Sequence, residues 1–119
     1  MLKLPKRLDR VRRELDEYFA GRRHEFDLET DLSPVPAFHQ QVLHELAGVP
    51  FGQVTTYGAL AAKVGRPHAA RAVGGAMNRN PIPIVLPCHR VIGSNGSLTG
   101  YAGGLDKKEA LLRLEGVTL

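Results

Sequence analysis

The sequence predicts a mainly helical protein with short strands: a small α/β piece at the N-terminus, then a helix-turn-helix unit that also carries the only cysteine. Three observations carry that expectation. Apolar residues recur at helical spacing in LDRVRRELDEYFAG, residues 8–21. Two short helix patterns between residues 55 and 80 are joined by a glycine-containing turn. The segment PIPIVLPCHRVIG, residues 81–93, sets three prolines ahead of Cys88.

In the first helix Leu8, Val11, Leu15 and Phe19 share a face, and Gly21 is placed as the C-terminal cap. HEFDLETDL, residues 24–32, alternates Phe26 and Leu28 with charged residues and predicts a short strand. SPVP, residues 33–36, reads as a linker, so residues 1–32 form one piece and 33–119 the main domain. PAFHQQVLHELAGVP, residues 36–50, opens a helix with Pro36 at its first position, lines up Phe38, Val42, Leu43 and Leu46, and stops at Gly48 and Pro50. TTYGALAAKVG, residues 55–65, has Thr55 or Thr56 as N-cap and Gly65 as C-cap. RPHAARAVGGAMNRN, residues 66–80, follows after a turn of about four residues, which makes the pair either a DNA-reading helix-turn-helix or an ordinary hairpin packed in a core. SNGSLTGYAGGL, residues 94–105, is turn-rich and is expected to wrap a site. The last helix, LDKKEALLRLEG at 105–116, shows a capping-box pattern at Asp106 and Glu109 and ends at Gly116. Leu105, Leu111, Leu112 and Leu114 are its expected apolar contacts.

With 43% apolar and 24% charged residues the chain can bury a core of ordinary size. One cysteine excludes an intramolecular disulfide and a cysteine-rich metal cage. The opening residues are rich in Arg, Asp and Glu, so no signal peptide is expected, and no long apolar run predicts a membrane span. A soluble, cytoplasmic protein is the expectation. The net charge of +4 suits a polyanionic partner but is modest.

The second helix of the pair is nearly bare: Ala69, Ala70, Ala72, Gly74, Gly75 and Ala76 surround a single long side chain, Arg71. Reading base edges needs several residues with reach. A bare helix instead permits close approach to a narrow groove or distorted duplex, with Arg71 intruding; equally, small residues pack tightly in a core. Cys88 poses a similar choice. A lone cysteine is often a small buried hydrophobe. Here the prolines hold the approach extended, while His89 and Arg90 put a base and a cation near the sulfur, which would raise its thiolate fraction. Neighbours on an extended chain point opposite ways, so a His89 base requires Cys88 on a turn or a bridging water.

PCHRVIG, followed by SNGSLTGYAGGL and preceded by RAVGGAMNRNPIPIVL, resembles the active-site region of the O6-alkylguanine-DNA alkyltransferases. These repair proteins move an alkyl group from guanine O6 onto their own cysteine. The resemblance runs from about Phe38 to Gly116, and YFAGRRHEFDL is similar to the end of that family's N-terminal domain, most of which has no counterpart here. It implies a winged-helix-like helix-turn-helix alkyltransferase domain. It also implies the following roles. Cys88 accepts the alkyl group, His89 takes its proton through a water, and Glu115 orients His89. Tyr57 protonates the departing guanine. Asn80 orders the cysteine turn, Tyr101 walls the pocket, and Lys108 lies near the leaving group. Arg71 fills the space of the rotated nucleotide, while the helix carrying Ala72, Gly74 and Gly75 lies in the minor groove. Arg66 and Arg79 would contact phosphates, and Val91 and Ala102 complete the substrate and DNA surface. Ala102, Gly103 and Gly104 are small enough to suggest tolerance beyond methyl. No metal or cofactor is expected, and the implied partner is double-stranded DNA containing O6-alkylguanine, bound by a monomer with little sequence preference.

Three rivals stand beside this reading. An alkyltransferase-like lesion sensor would bind and transfer nothing, but such proteins replace the cysteine that PCHR retains. A cysteine hydrolase would leave the helix pair without a purpose, and a plain DNA-binding regulator would leave Tyr57 and Glu115 unexplained.

Overall fold

A computed structural model describes residues 6–98, 100–101 and 103–119. Chain contacts divide it into two units, Met1–Thr30 and Asp31–Leu119. Among the described residues no helix is long and apolar enough to cross a membrane.

The first unit is built on α1, Lys6–Phe19. Tyr18 is buried, with the Phe19 and Phe26 rings at 5.3 and 5.5 Å, whereas Leu8 and Phe19 themselves stay exposed. Gly21 ends the helix at φ +77, and Arg22 N–H reaches back to the Glu17 carbonyl at 2.8 Å, the left-handed termination that glycine permits. The strand expected over residues 24–32 is absent. A strand needs a neighbour for its ladder, and here the Asp27 N–H is taken by the Glu14 carboxylate at 2.7 Å. Alternating hydrophobicity in this segment produces an irregular stretch tied to α1, not a sheet.

The second unit contains α2 (Ala37–Ala47), β1 (Thr55–Thr56), α3 (Tyr57–Lys63), α4 (Ala70–Asn78), a 3-10 turn at Cys88–Arg90, β2 (Val91–Ile92) and α5 (Leu105–Leu114). Pro36 caps α2 from just outside it. Thr56 is the N-cap of α3, its hydroxyl accepting from Ala59 N–H at 3.0 Å. Gly65 turns the chain at φ +78, and residues 64–69 join α3 to α4, a longer link than the sequence suggests. The core forms where α2, α3 and α4 meet, around Val42, Leu43, Leu46, Leu60, Val73 and Ala76, all fully buried. Each such leucine contributes about 1.5–3 kcal/mol through burial.

β1 and β2 pair in parallel, Thr55 with Val91 and Thr56 with Ile92. This short ladder fixes the start of α3 beside the segment that follows Cys88. The capping box expected at Asp106 and Glu109 does not form. The α5 N-cap is Gly104, at φ 104 and ψ 146, without a side-chain cap. That backbone suits only glycine, so the helix starts two residues earlier than an Asp106 cap would allow. Glu109 instead pairs with Arg113 at 2.8 Å. Leu111 and Leu112 enter the interior, while Leu105 and Leu114 remain exposed, because the buried face of α5 is shared with Lys108 and Glu115.

Candidate active site

The approach to Cys88 is a tight loop, not the extended lead-in that its prolines suggest. Leu86 N–H bonds the Ile82 carbonyl at 2.9 Å, and Ile84 sits at φ 77. A β-branched residue there is an outlier that the surroundings must hold in place. Asn80 does so from inside the loop: its amide donates to the Leu86 carbonyl at 2.7 Å and its oxygen accepts from Ile82 N–H at 2.9 Å. Pro87 then leads into the 3-10 turn Cys88–Arg90, which meets the need for a turn at the thiol. Cys88, His89 and Arg90 are all buried.

His89 is completely buried, and its Nε2 lies 2.7 Å from Oε2 of Glu115, just past the end of α5. Its other ring nitrogen, Nδ1, is buried with no hydrogen-bond partner among the described residues. Arg90 does not turn toward the sulfur. Its Nε and Nη2 donate to Glu115 Oε1 and Oε2 at 2.7 and 2.9 Å, and its Nη1 donates to the Val49 carbonyl at 2.7 Å. Gly52 N–H approaches Oε1 of the same carboxylate at 3.4 Å. The Glu115 carboxylate therefore joins the Cys88–Arg90 turn to the loop after α2.

Burial pushes the Cys88 thiol above its ordinary value of 9.0, against opposing hydrogen bonds from Asn80, its own backbone and Tyr101 and the charge of Lys108. This corrects the expectation that nearby cations make the resting thiol acidic: desolvation wins, and the cation that acts on the sulfur is Lys108, not Arg90. Burial, the Cys88 charge and the hydrogen bond to Cys88 push the Tyr101 phenol up to about 12, so it remains a donor at neutral pH. Burial lowers the Lys108 ammonium, partly offset by attraction to Cys88. Lys108 is fully buried, donates to the Val91 carbonyl and lies 6.0 Å from the centre of the Tyr57 ring. Tyr57, the first residue of α3, is half-buried beside Gly74 of α4, whose absent Cβ would lie 4.0 Å from the tyrosine ring.

α4 divides by face. Val73, Ala76 and Met77 are buried, whereas Arg71, Ala72, Asn78 and Arg79 are exposed, and a Cβ on Gly75 would meet nothing. The bare surface is thus an outer face carrying one long side chain near its start. Arg66, also exposed, lies over the Phe38 ring at 5.1 Å. Val91, expected on the ligand side, buries its side chain completely and offers only its carbonyl. Ala102 lies outside the described residues. Gly103 packs so closely on Tyr101 that a Cβ there would stand 3.0 Å from its ring.

The fold thus brings Cys88, Asn80, Tyr101 and Lys108 together around the sulfur, and His89 with Glu115 beside them. What sequence reasoning missed is the grip of Arg90 on Glu115. A signal existed: an arginine inside the apolar run VLPCHRVI must be buried, and a buried guanidinium requires a carboxylate.

The model of the 6-O-methylguanine DNA methyltransferase DNA-binding domain matches residues 37–117. A methylated-DNA–protein-cysteine methyltransferase of Methanosarcina acetivorans is 54% identical over 105 residues, covering 87% of this chain and 66% of that protein. Its counterpart in Salmonella typhimurium is 58% identical over 106 residues, covering 88% and 61%. The chain thus spans less than two thirds of the length of these curated relatives, 66% and 61%. Mycobacterium tuberculosis OGT in complex with DNA superposes with a TM-score of 0.87 at 50% identity, covering 90% of this chain and 66% of that one. S. pombe Atl1, in complex with damaged DNA containing O6-carboxymethylguanine, superposes with a TM-score of 0.61 at 39% identity over 68% of this chain. With residues 37–117 matched and the cysteine turn and its buried partners in place, the chain belongs to the 6-O-methylguanine DNA methyltransferase family.

Proposed function

We propose that the chain is a single-use DNA repair protein that transfers an alkyl group from guanine O6 to the sulfur of Cys88. The observation that carries this reading is the buried His89–Glu115 contact with Nδ1 of His89 unpaired one residue from the thiol. A thiol held above its ordinary value needs a base to become a nucleophile. Nδ1 is the atom for that task, reached through a bridging water, and Glu115 stabilises the imidazolium that forms. The sulfur attacks the alkyl carbon, the bond from that carbon to O6 breaks, and the guanine leaves with the electron pair. Tyr57 supplies a proton to the departing base. Lys108 and Tyr101 favour the thiolate by charge and hydrogen bond.

The exposed face of α4 supports placement in the minor groove of double-stranded DNA, where Ala72, Gly74 and Gly75 allow close approach and Arg71 occupies the gap left by the extruded nucleotide. Extrusion costs a few kcal/mol, and less for a poorly paired base, which favours damage over normal guanine. Arg66 and Arg79 add salt-dependent phosphate contacts. The chain acts as a cytoplasmic monomer, without a metal or cofactor.

Intact-protein mass spectrometry after incubation with an O6-methylguanine oligonucleotide tests this reading. One added methylene mass on Cys88, absent in Cys88→Ala, is the expected result. Lesion binding with no mass change would make the chain a sensor, as its likeness to Atl1 allows. Neither binding nor transfer would overturn the proposal.

A further inference from the structure

We infer that Arg90 is a positioning residue that fixes the tautomer of His89. The part of this concerning transfer rests on the proposed function; the part concerning the tautomer does not. A guanidinium is charged at every pH at which proteins fold. Two of its nitrogens lie on the two oxygens of Glu115 at 2.7 and 2.9 Å, and a third is anchored on the Val49 carbonyl at 2.7 Å. A buried carboxyl with no cation favours its neutral form. Arg90 removes that tendency and holds the group as a carboxylate, which accepts hydrogen bonds and donates none.

His89 Nε2, at 2.7 Å from Oε2, must then carry the proton and donate it. In the neutral ring this leaves the lone pair on Nδ1, the buried nitrogen without a partner. The chain of cause runs from Arg90 to Glu115 to Nε2 to Nδ1. Without the guanidinium a protonated Glu115 donates to Nε2, the ring proton moves to Nδ1, and the nitrogen assigned as base becomes a donor that cannot take a proton. Arg90 touches no reacting atom; it acts through two intermediaries.

The test is the long-range proton–nitrogen NMR spectrum of the His89 ring, recorded on the full chain and on Arg90→Met and Arg90→Lys. The expected results are an Nε2–H ring in wild type and Arg90→Lys, and a shift toward Nδ1–H in Arg90→Met. In single-turnover assays Arg90→Met should slow transfer about 100-fold, the low end of what a positioned general base contributes, with lesion-DNA affinity unchanged, and Arg90→Lys should recover most of that loss. If Arg90→Met does not fold, Arg90→Gln, equally uncharged, takes its place. An Nε2–H ring persisting in whichever neutral variant folds would overturn the inference, as would an Nδ1–H ring in wild type. If wild type transfers nothing, the functional proposal fails while the ring spectra still decide the role of Arg90.

Discussion

Two buried glutamates, one in each unit, are served by very different company. Glu14 is 1% exposed and takes hydrogen bonds from Arg10, four residues before it, and from the backbone of Asp27, thirteen after it. Its cations reach out to water: the Arg10 and Arg23 side chains are 47% and 26% exposed. Glu115 is equally hidden, yet His89 and Arg90 are buried with it and come from 26 and 25 residues away. The first arrangement clamps a loop to the helix that precedes it. The second gathers charge in the interior, where ion pairs recover their desolvation cost poorly and are weak evidence for stability. This second cluster, in which His89 Nδ1 has no hydrogen-bond partner among the described residues, is the one the proposed transfer uses.

Breaking the second cluster should have the largest effect. Glu115→Gln should slow alkyl transfer by about 100-fold or more and, by leaving Arg90 buried without its partner, lower stability by about 3–5 kcal/mol. Single-turnover kinetics and denaturant unfolding measure the two losses, and normal transfer in this variant would reduce Glu115 to a structural role. Next comes the thiol. Because burial holds Cys88 above 9.0, the rate of its reaction with iodoacetamide should climb about tenfold per pH unit from neutral pH through 9 without levelling off. A plateau near neutrality would mean that Lys108 outweighs burial.

Glu14→Gln should cost about 1–3 kcal/mol and leave the transfer rate unchanged, which separates the clamp from the chemistry. Burial alone would raise Glu14, but the Asp27 N–H and the Arg10 and Arg23 cations outweigh it and hold the carboxyl below its ordinary 4.5. A lowered folded value means that the stabilisation is present above 4.5 and disappears as the pH falls through that lower value. The protection factor of the Asp27 amide, its exchange rate relative to that of an unstructured chain at the same pH, should therefore fall on acidification, and more so in wild type than in Glu14→Gln. The smallest effect belongs to the exposed pair of Arg113 and Glu109: Arg113→Ala should cost about 0.5 kcal/mol or less.

The helices were legible because their signals are local. Gly21, Gly65 and Gly116 mark the turns after α1, α3 and α5 as written, and Thr56 caps α3. The strand that alternation predicts at 24–32 does not form, because alternation says that a segment has two faces, not that another strand lies beside it. The Asp106 cap failed for a related reason: Gly104 admits a backbone that starts the helix sooner. Within the site, the resemblance singled out Cys88, His89 and Glu115 together, and the residues alone justified suspicion only of the first two. Glu115 lies 26 residues from His89, and no periodicity reports a contact at that distance. Adjacency in sequence points Arg90 at the sulfur, whereas the 3-10 turn sends its side chain to Glu115.

The two-residue parallel ladder, Thr55 with Val91 and Thr56 with Ile92, bears on when the thiol becomes reactive during folding. It closes the long loop that contains α3, α4 and the Asn80 turn, and contacts of such separation form late because loop closure must precede any gain from them. Until they form, Cys88 belongs to a flexible peptide with neither His89 oriented nor Tyr101 in contact. A nascent or partly unfolded chain therefore carries an ordinary thiol, and a short peptide spanning PCHR would do the same. On the proposed function, competence for transfer arrives only with the finished fold.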